Sequence, residues 1–152
     1  MPNQSFQRTL TRGGFGPLNS GVRLRQSQMA IDPFRIKSMA VVLGDEDCHL
    51  LWELLDTAVK HYPNETNEAL ITACADALRQ LMELGLIEVG TAVWPGVPDE
   101  SEPPIPFSKI RNAISDQDSW STDPKDDHLI WFAATESGRH ALQAKEYLDE
   151  GY

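Results

Sequence analysis

The chain has 152 residues, 41% apolar and 24% charged, with a net charge of −10 at pH 7. That length suits one domain with a core of its own. No run of about 18 uncharged apolar residues occurs and no apolar stretch follows the N-terminal arginines, so neither a transmembrane helix nor a secretory signal is expected.

Cys48 and Cys74 both fall in predicted helices. Two cysteines are too few for a disulfide scaffold, so both are expected to pack as small apolar groups in a reducing cytoplasm. The charge is uneven along the chain. Residues 1–28 hold Arg8, Arg12, Arg23 and Arg25 and no acid, while the remaining nine basic residues face all 23 acids.

Residues 1–38 contain Gly13, Gly14, Gly16, Pro17 and Gly21, many polar residues and no apolar period. A disordered tail is expected there, followed by one domain over 39–152. The first helix is expected from Asp45-Glu46-Asp47, whose acids suit a helix N-terminus. Leu51, Leu55, Ala58 and Tyr62 recur along it, and Pro63 and Asn64 end it. A second helix runs from Asn64–Thr66 to Leu84, with Leu70, Ala73, Ala77, Leu81 and Leu84 on one face. Gly85 stands where a left-handed cap is wanted. A strand follows from Leu86 to about Val93.

The pattern is then lost over residues 94–127, which hold Pro95, Pro98, Pro103, Pro104 and Pro106 and then a run of acids. A short helix over residues 106–114 would put Phe107, Ile110 and Ile114 on one face. His128 to Ala134 reads as a strand, and Thr135 caps a last helix from Glu136 to about Leu148.

Two stretches carry a resemblance. Ala77-Leu78-Arg79-Gln80-Leu81-Met82-Glu83-Leu84-Gly85-Leu86-Ile87 resembles the end of a recognition helix in winged-helix proteins, running into the first wing strand. Trp131-Phe132-Ala133-Ala134-Thr135-Glu136-Ser137-Gly138-Arg139-His140-Ala141-Leu142 is similar to the second wing strand and the "Thr-Glu-x-Gly" helix start of PadR-like and MarR-like regulators. The pieces cover about 25 residues, in the right order. They leave little room for a separate second helix before the long one. The resemblance implies an α+β, winged-helix-like fold: helices packed on a small antiparallel sheet, with a long Pro- and acid-rich wing insertion. Leu78, Leu81, Ile87, Val89, Trp131 and Leu142 are expected at its centre, each large side chain worth about 1.5–3 kcal/mol on burial.

The tail carries another resemblance. Asn3-Gln4-Ser5-Phe6-Gln7-Arg8-Thr9-Leu10-Thr11-Arg12-Gly13-Gly14-Phe15-Gly16-Pro17-Leu18-Asn19-Ser20 resembles translated repeats of some bacterial genomes, like the recombination sites that flank integron gene cassettes. This implies read-through from upstream DNA, a start at Met29 or Met39, and a mobile accessory gene. The other reading of the tail is a basic arm that grips nucleic acid.

A fold does not fix a function. Winged-helix regulators insert a helix into the major groove and set basic residues against phosphate. The expected recognition helix holds one basic residue, Arg79, against Glu68, Asp76 and Glu83. The insertion sets Asp99, Glu100, Glu102, Asp116, Asp118, Asp123, Asp126 and Asp127 against Lys109, Arg111 and Lys125. Such a surface repels a polyanion, so DNA is not the expected partner unless the basic tail helps.

No catalytic set emerges. His49, His61, His128 and His140 have no metal-site spacing. Asp126, Asp127 and His128 are adjacent on a strand, and Cys48 and His49 adjacent on a helix, so neither group converges. Ser137-Gly138 lacks a nucleophile-elbow context, and Gly13 to Gly16 lack a preceding strand. Glu53 and Asp56 are expected on the exposed side of the first helix. No enzyme, metal or cofactor is expected.

Trp94, Phe107 and Trp120 punctuate the insertion, beside Asp99, Glu100 and Glu102. They either pack back to anchor the long loop or present an acidic, aromatic surface to a basic protein partner. A homodimer stays open. Small acidic proteins of mobile elements include antitoxins, immunity proteins and nucleic-acid mimics.

Overall fold

The computed structural model describes residues 30–93, 97–99, 101, 103, 105–124 and 129–148, with the backbone alone at Val93, Val97, Phe107, Ile110 and Arg111. The expected tail up to residue 29 lies outside the described residues.

The first helix, α1 (Pro33–Glu46), starts inside the stretch expected to be a tail. Its local logic is clear. Asp32 caps it by accepting from the Phe34 N–H at 3.0 Å, and Pro33 occupies the first turn, where no amide is needed. Ile36, Met39, Ala40 and Val41 are fully buried. Gly44 permits a close approach: a Cβ there would lie 2.6 Å from the Ala134 backbone nitrogen. The acids at 45–47 therefore form the end of a helix, contrary to the start expected from the sequence. Arg139 meets Asp45 at 3.6 Å.

A two-residue strand, β1 (His49–Leu50), leads straight into α2 (Leu51–His61). Glu53, in the first turn, accepts from the Leu50 N–H at 2.7 Å. Cys48 accordingly lies between α1 and β1, not in a helix. Next comes α3 (Asn67–Glu83), capped by Thr66, whose Oγ1 accepts from the Ala69 N–H at 3.1 Å. Its end matches the expectation. Gly85 adopts φ +75°, the Leu86 N–H donates to Leu81 O, and the Gly85 N–H donates to Met82 O. This is the two-bond glycine cap that satisfies the last carbonyls of a helix.

The remaining elements are β2 (Ile87–Val93), β3 (Val97–Pro98), α4 (Phe107–Ser115), a 3₁₀ turn (Gln117–Trp120), β4 (Ile130–Ala134) and α5 (Glu136–Gln143). The sheet is antiparallel, in the order β1-β4-β2, with the short β3 added beyond β2. Several helices thus pack on a small antiparallel sheet, as expected. Along β4 burial alternates: Ile130, Phe132 and Ala134 face the core. Trp131, expected at the centre, points to the other face and lies over Gly90, where a Cβ would run into its indole. Phe132 takes the central place. Leu78, Leu81, Ile87 and Val89 are buried as expected, and Leu142 packs on the core from its edge.

One joint couples the end of α3 to the start of α5. Thr135 Oγ1 donates to Gly85 O at 2.6 Å and accepts from the Gly138 N–H at 3.1 Å, capping α5. The Thr135 N–H donates to Leu86 O. A Cβ at Gly138 would collide with that same carbonyl oxygen.

Candidate functional site

The face of α3 opposite the core is where a groove-reading helix would meet DNA. Thr72, Asp76 and Glu83 are exposed along it. On one flank α1 packs, leaving a groove of about 250 Å³ among Pro33, Lys37, Ala73, Asp76 and Gln80. On the other flank α4 packs, and a groove of about 310 Å³ runs among Ala75, Asp76, Arg79 and Ile114. Asp76 lines both grooves. Arg79, the helix's one cation, is held by Asp76 at 3.1 Å and reaches Glu83 at 4.0 Å. Gln117 reaches across to Glu68 at 3.5 Å.

Of the expected site residues, Trp94, Glu100 and Glu102 lie outside the described residues, as do Asp126, Asp127 and His128. Phe107 opens α4, described by its backbone alone. Asp99 is half-buried, with its carboxylate accepting from the Ser101 N–H and hydroxyl. Trp120 is 2% exposed and donates from Nε1 to Ile114 O at 2.8 Å. It belongs to the core together with Ile114. Of the expected site residues, Asp99 and Trp120 are thus the two with described side chains, and Trp120 packs inward. Helix α4 packs on α3, and the 3₁₀ turn packs on α2 and α3.

A different arrangement emerges around Trp120. Trp52, Leu55, Asp56 and Val59 of α2 face Trp120, Ser121 and Thr122 across a groove of about 360 Å³. Trp52 and Val59 are half-buried, and Asp56 pairs with Lys60 at 3.0 Å on the rim. The framing segments, 56–68 and 116–123, carry Asp56, Glu65, Glu68, Asp116, Asp118 and Asp123, with Lys60 and His61 as their basic residues. The sequence reading missed Trp52. Its signal was the 52, 55, 59 spacing, a second apolar face on α2 beside the stripe already recognised.

Glu53 does more than solvate the helix: it holds His49 Nδ1 at 3.0 Å as well as the Leu50 N–H. The His49 ring lies 6.1 Å from that of Phe132, beneath the β1–α2 corner. Burial, then Asp47 and Glu88, push the Cys48 thiol up, the reverse of an activated nucleophile. Burial raises Cys74 to about 12. His61 is lowered by burial and by Arg35. Among the described residues no three His, Cys, Asp or Glu side chains are placed to hold a metal ion, and no helix is long and apolar enough to cross a membrane. No family model, curated protein or solved structure matches the chain.

Proposed function

We propose that the chain is a non-catalytic, winged-helix-like module that binds a protein, and that α3 does not read DNA. The observation that carries this is the state of α3. The DNA major groove is about 12 Å wide and admits one helix. Helix α4 packs along one flank of α3, which leaves less of α3 free to enter it. The face left exposed bears Asp76 and Glu83, and the helix's one arginine is already paired. Phosphate would be repelled where it should be gripped.

The element order supports the winged-helix part of the reading. Helix α1 supplies the helix that the sequence had seemed to lack, ahead of α2 and α3. Strands β2 and β4 stand as wing strands joined through Thr135 to the Gly85 turn. The insertion between them is the departure.

A gel shift at about 50 mM salt, where phosphate contacts are strongest, tests the reading. It should use the full chain and a chain begun at Met29, which lacks all four tail arginines. Neither is expected to shift duplex DNA. A shift by the Met29 chain overturns the proposal. A shift by the full chain alone assigns the role of DNA regulator to the tail, the second reading, and the charge asymmetry of residues 1–28 is what favours it.

A further inference from the structure

We propose that the groove between α2 and the 3₁₀ turn receives an amphipathic helix with a basic rim, contributed by the protein partner. This rests on the protein-binding reading above and names where and with what chemistry the partner is held.

Three observations carry it. The groove has an apolar floor, in which Trp52, Leu55 and Val59 follow one another along one face of α2 at i, i+3 and i+7, with Trp120 opposite. That row is about 10 Å long at 1.5 Å per residue, and a helix laid beside it presents anchors at matching spacing. Asp56, paired with Lys60, lines the groove, and the segments that frame it are acid-rich in sequence, with Asp118 and Asp123 flanking the lining residues Trp120, Ser121 and Thr122. A lysine or arginine flanking the anchors meets those carboxylates and the half-buried Trp52 indole, which attracts a cation over its face. Among the described residues, the edge strands of the sheet, β1 and β3, have two residues each. Strand β1 passes directly into α2, too short an edge for strand addition.

The probe is a fluorescein-labelled peptide of about 14 residues, four helical turns, with leucines at i, i+4 and i+7 and lysines and arginines beside them. Two controls go with it: an isomer of the same composition with its leucines scattered, and an analogue with glutamate for the basic residues. Anisotropy is read with the full chain. The patterned peptide is expected to bind at least about tenfold more tightly than either control. Trp52→Ala and Asp56→Lys are each expected to weaken it by about tenfold, as at an interface anchor, with the thermal midpoint retained. Equal binding of the scattered isomer overturns the proposal, because charge alone would explain it. So does a Trp52→Ala variant that binds like the parent chain. Either result leaves the gel-shift outcome untouched, so failure of the groove and failure of the protein-binding reading are separately visible.

Discussion

At the scale of single residues, the joint between the Gly85 turn and the start of α5 depends on side chains that are absent. Gly85 is needed for its φ of +75°, which a side chain makes unfavourable by roughly 1 kcal/mol. Gly138 is needed for space, because its α5 turn rests on the Leu86 carbonyl that also accepts from the Thr135 N–H. The obstacle there is backbone and cannot swing aside like a side chain. Gly138→Ala is therefore expected to destabilise the fold by about 1–3 kcal/mol, as in other overpacked sites. Urea denaturation would show it as a lowered midpoint with an unchanged slope. An unchanged midpoint would mean that α5 shifts freely on the sheet. Thr135, by contrast, was identifiable from sequence, since a cap three residues ahead of its bonded amide is a local signal. Its second bond, to Gly85 O, was not, because the partners are fifty positions apart.

At the scale of elements, what was legible follows the same division. Helix α3, its glycine cap, strands β2 and β4 and the start of α5 all declare themselves through local patterns: helical spacing, a cap, alternation. Helix α1 does not. Ile36, Ser38, Met39, Ala40, Val41, Val42 and Gly44 are buried round most of its circumference, so no polar face sets a period. The acids at 45–47 then look like a beginning while marking an end. The groove on α2 was half legible: the 52, 55, 59 spacing is visible, but the opposing wall comes from Trp120, far along the chain. The position of α1 also bears on where the domain can start. A chain begun at Met39 loses Asp32, Pro33, the fully buried Ile36, and Ser38, whose hydroxyl accepts from the Leu148 N–H at 3.0 Å. It is expected to be less stable than one begun at Met29 by at least about 2–5 kcal/mol, the cost of emptying one large core position. Thermal denaturation of the two chains compares them directly, and equal midpoints would place α1 outside the cooperative core.

At the scale of the whole molecule, the stretch from α4 to the 3₁₀ turn contributes to the core rather than ornamenting it. Ile114 and Trp120 sit among buried residues of α1, α2, α3 and the sheet. Trp120→Ala is expected to cost about 3–5 kcal/mol, a large share of the 5–15 kcal/mol that holds an ordinary domain. The loss should appear in one cooperative transition seen alike by far-UV dichroism and by denaturant titration. A separate early transition would make the insertion an independently melting appendage. The dependence of α2 and α3 on a segment that comes later has a consequence for biosynthesis. A ribosome adds about 5–20 residues per second, so the sides of α2 and α3 that Ile114 and Trp120 cover stay bare for seconds after those helices emerge. In that interval the nascent chain presents its stickiest face to chaperones and to neighbouring chains. Only the arrival of the last third closes it.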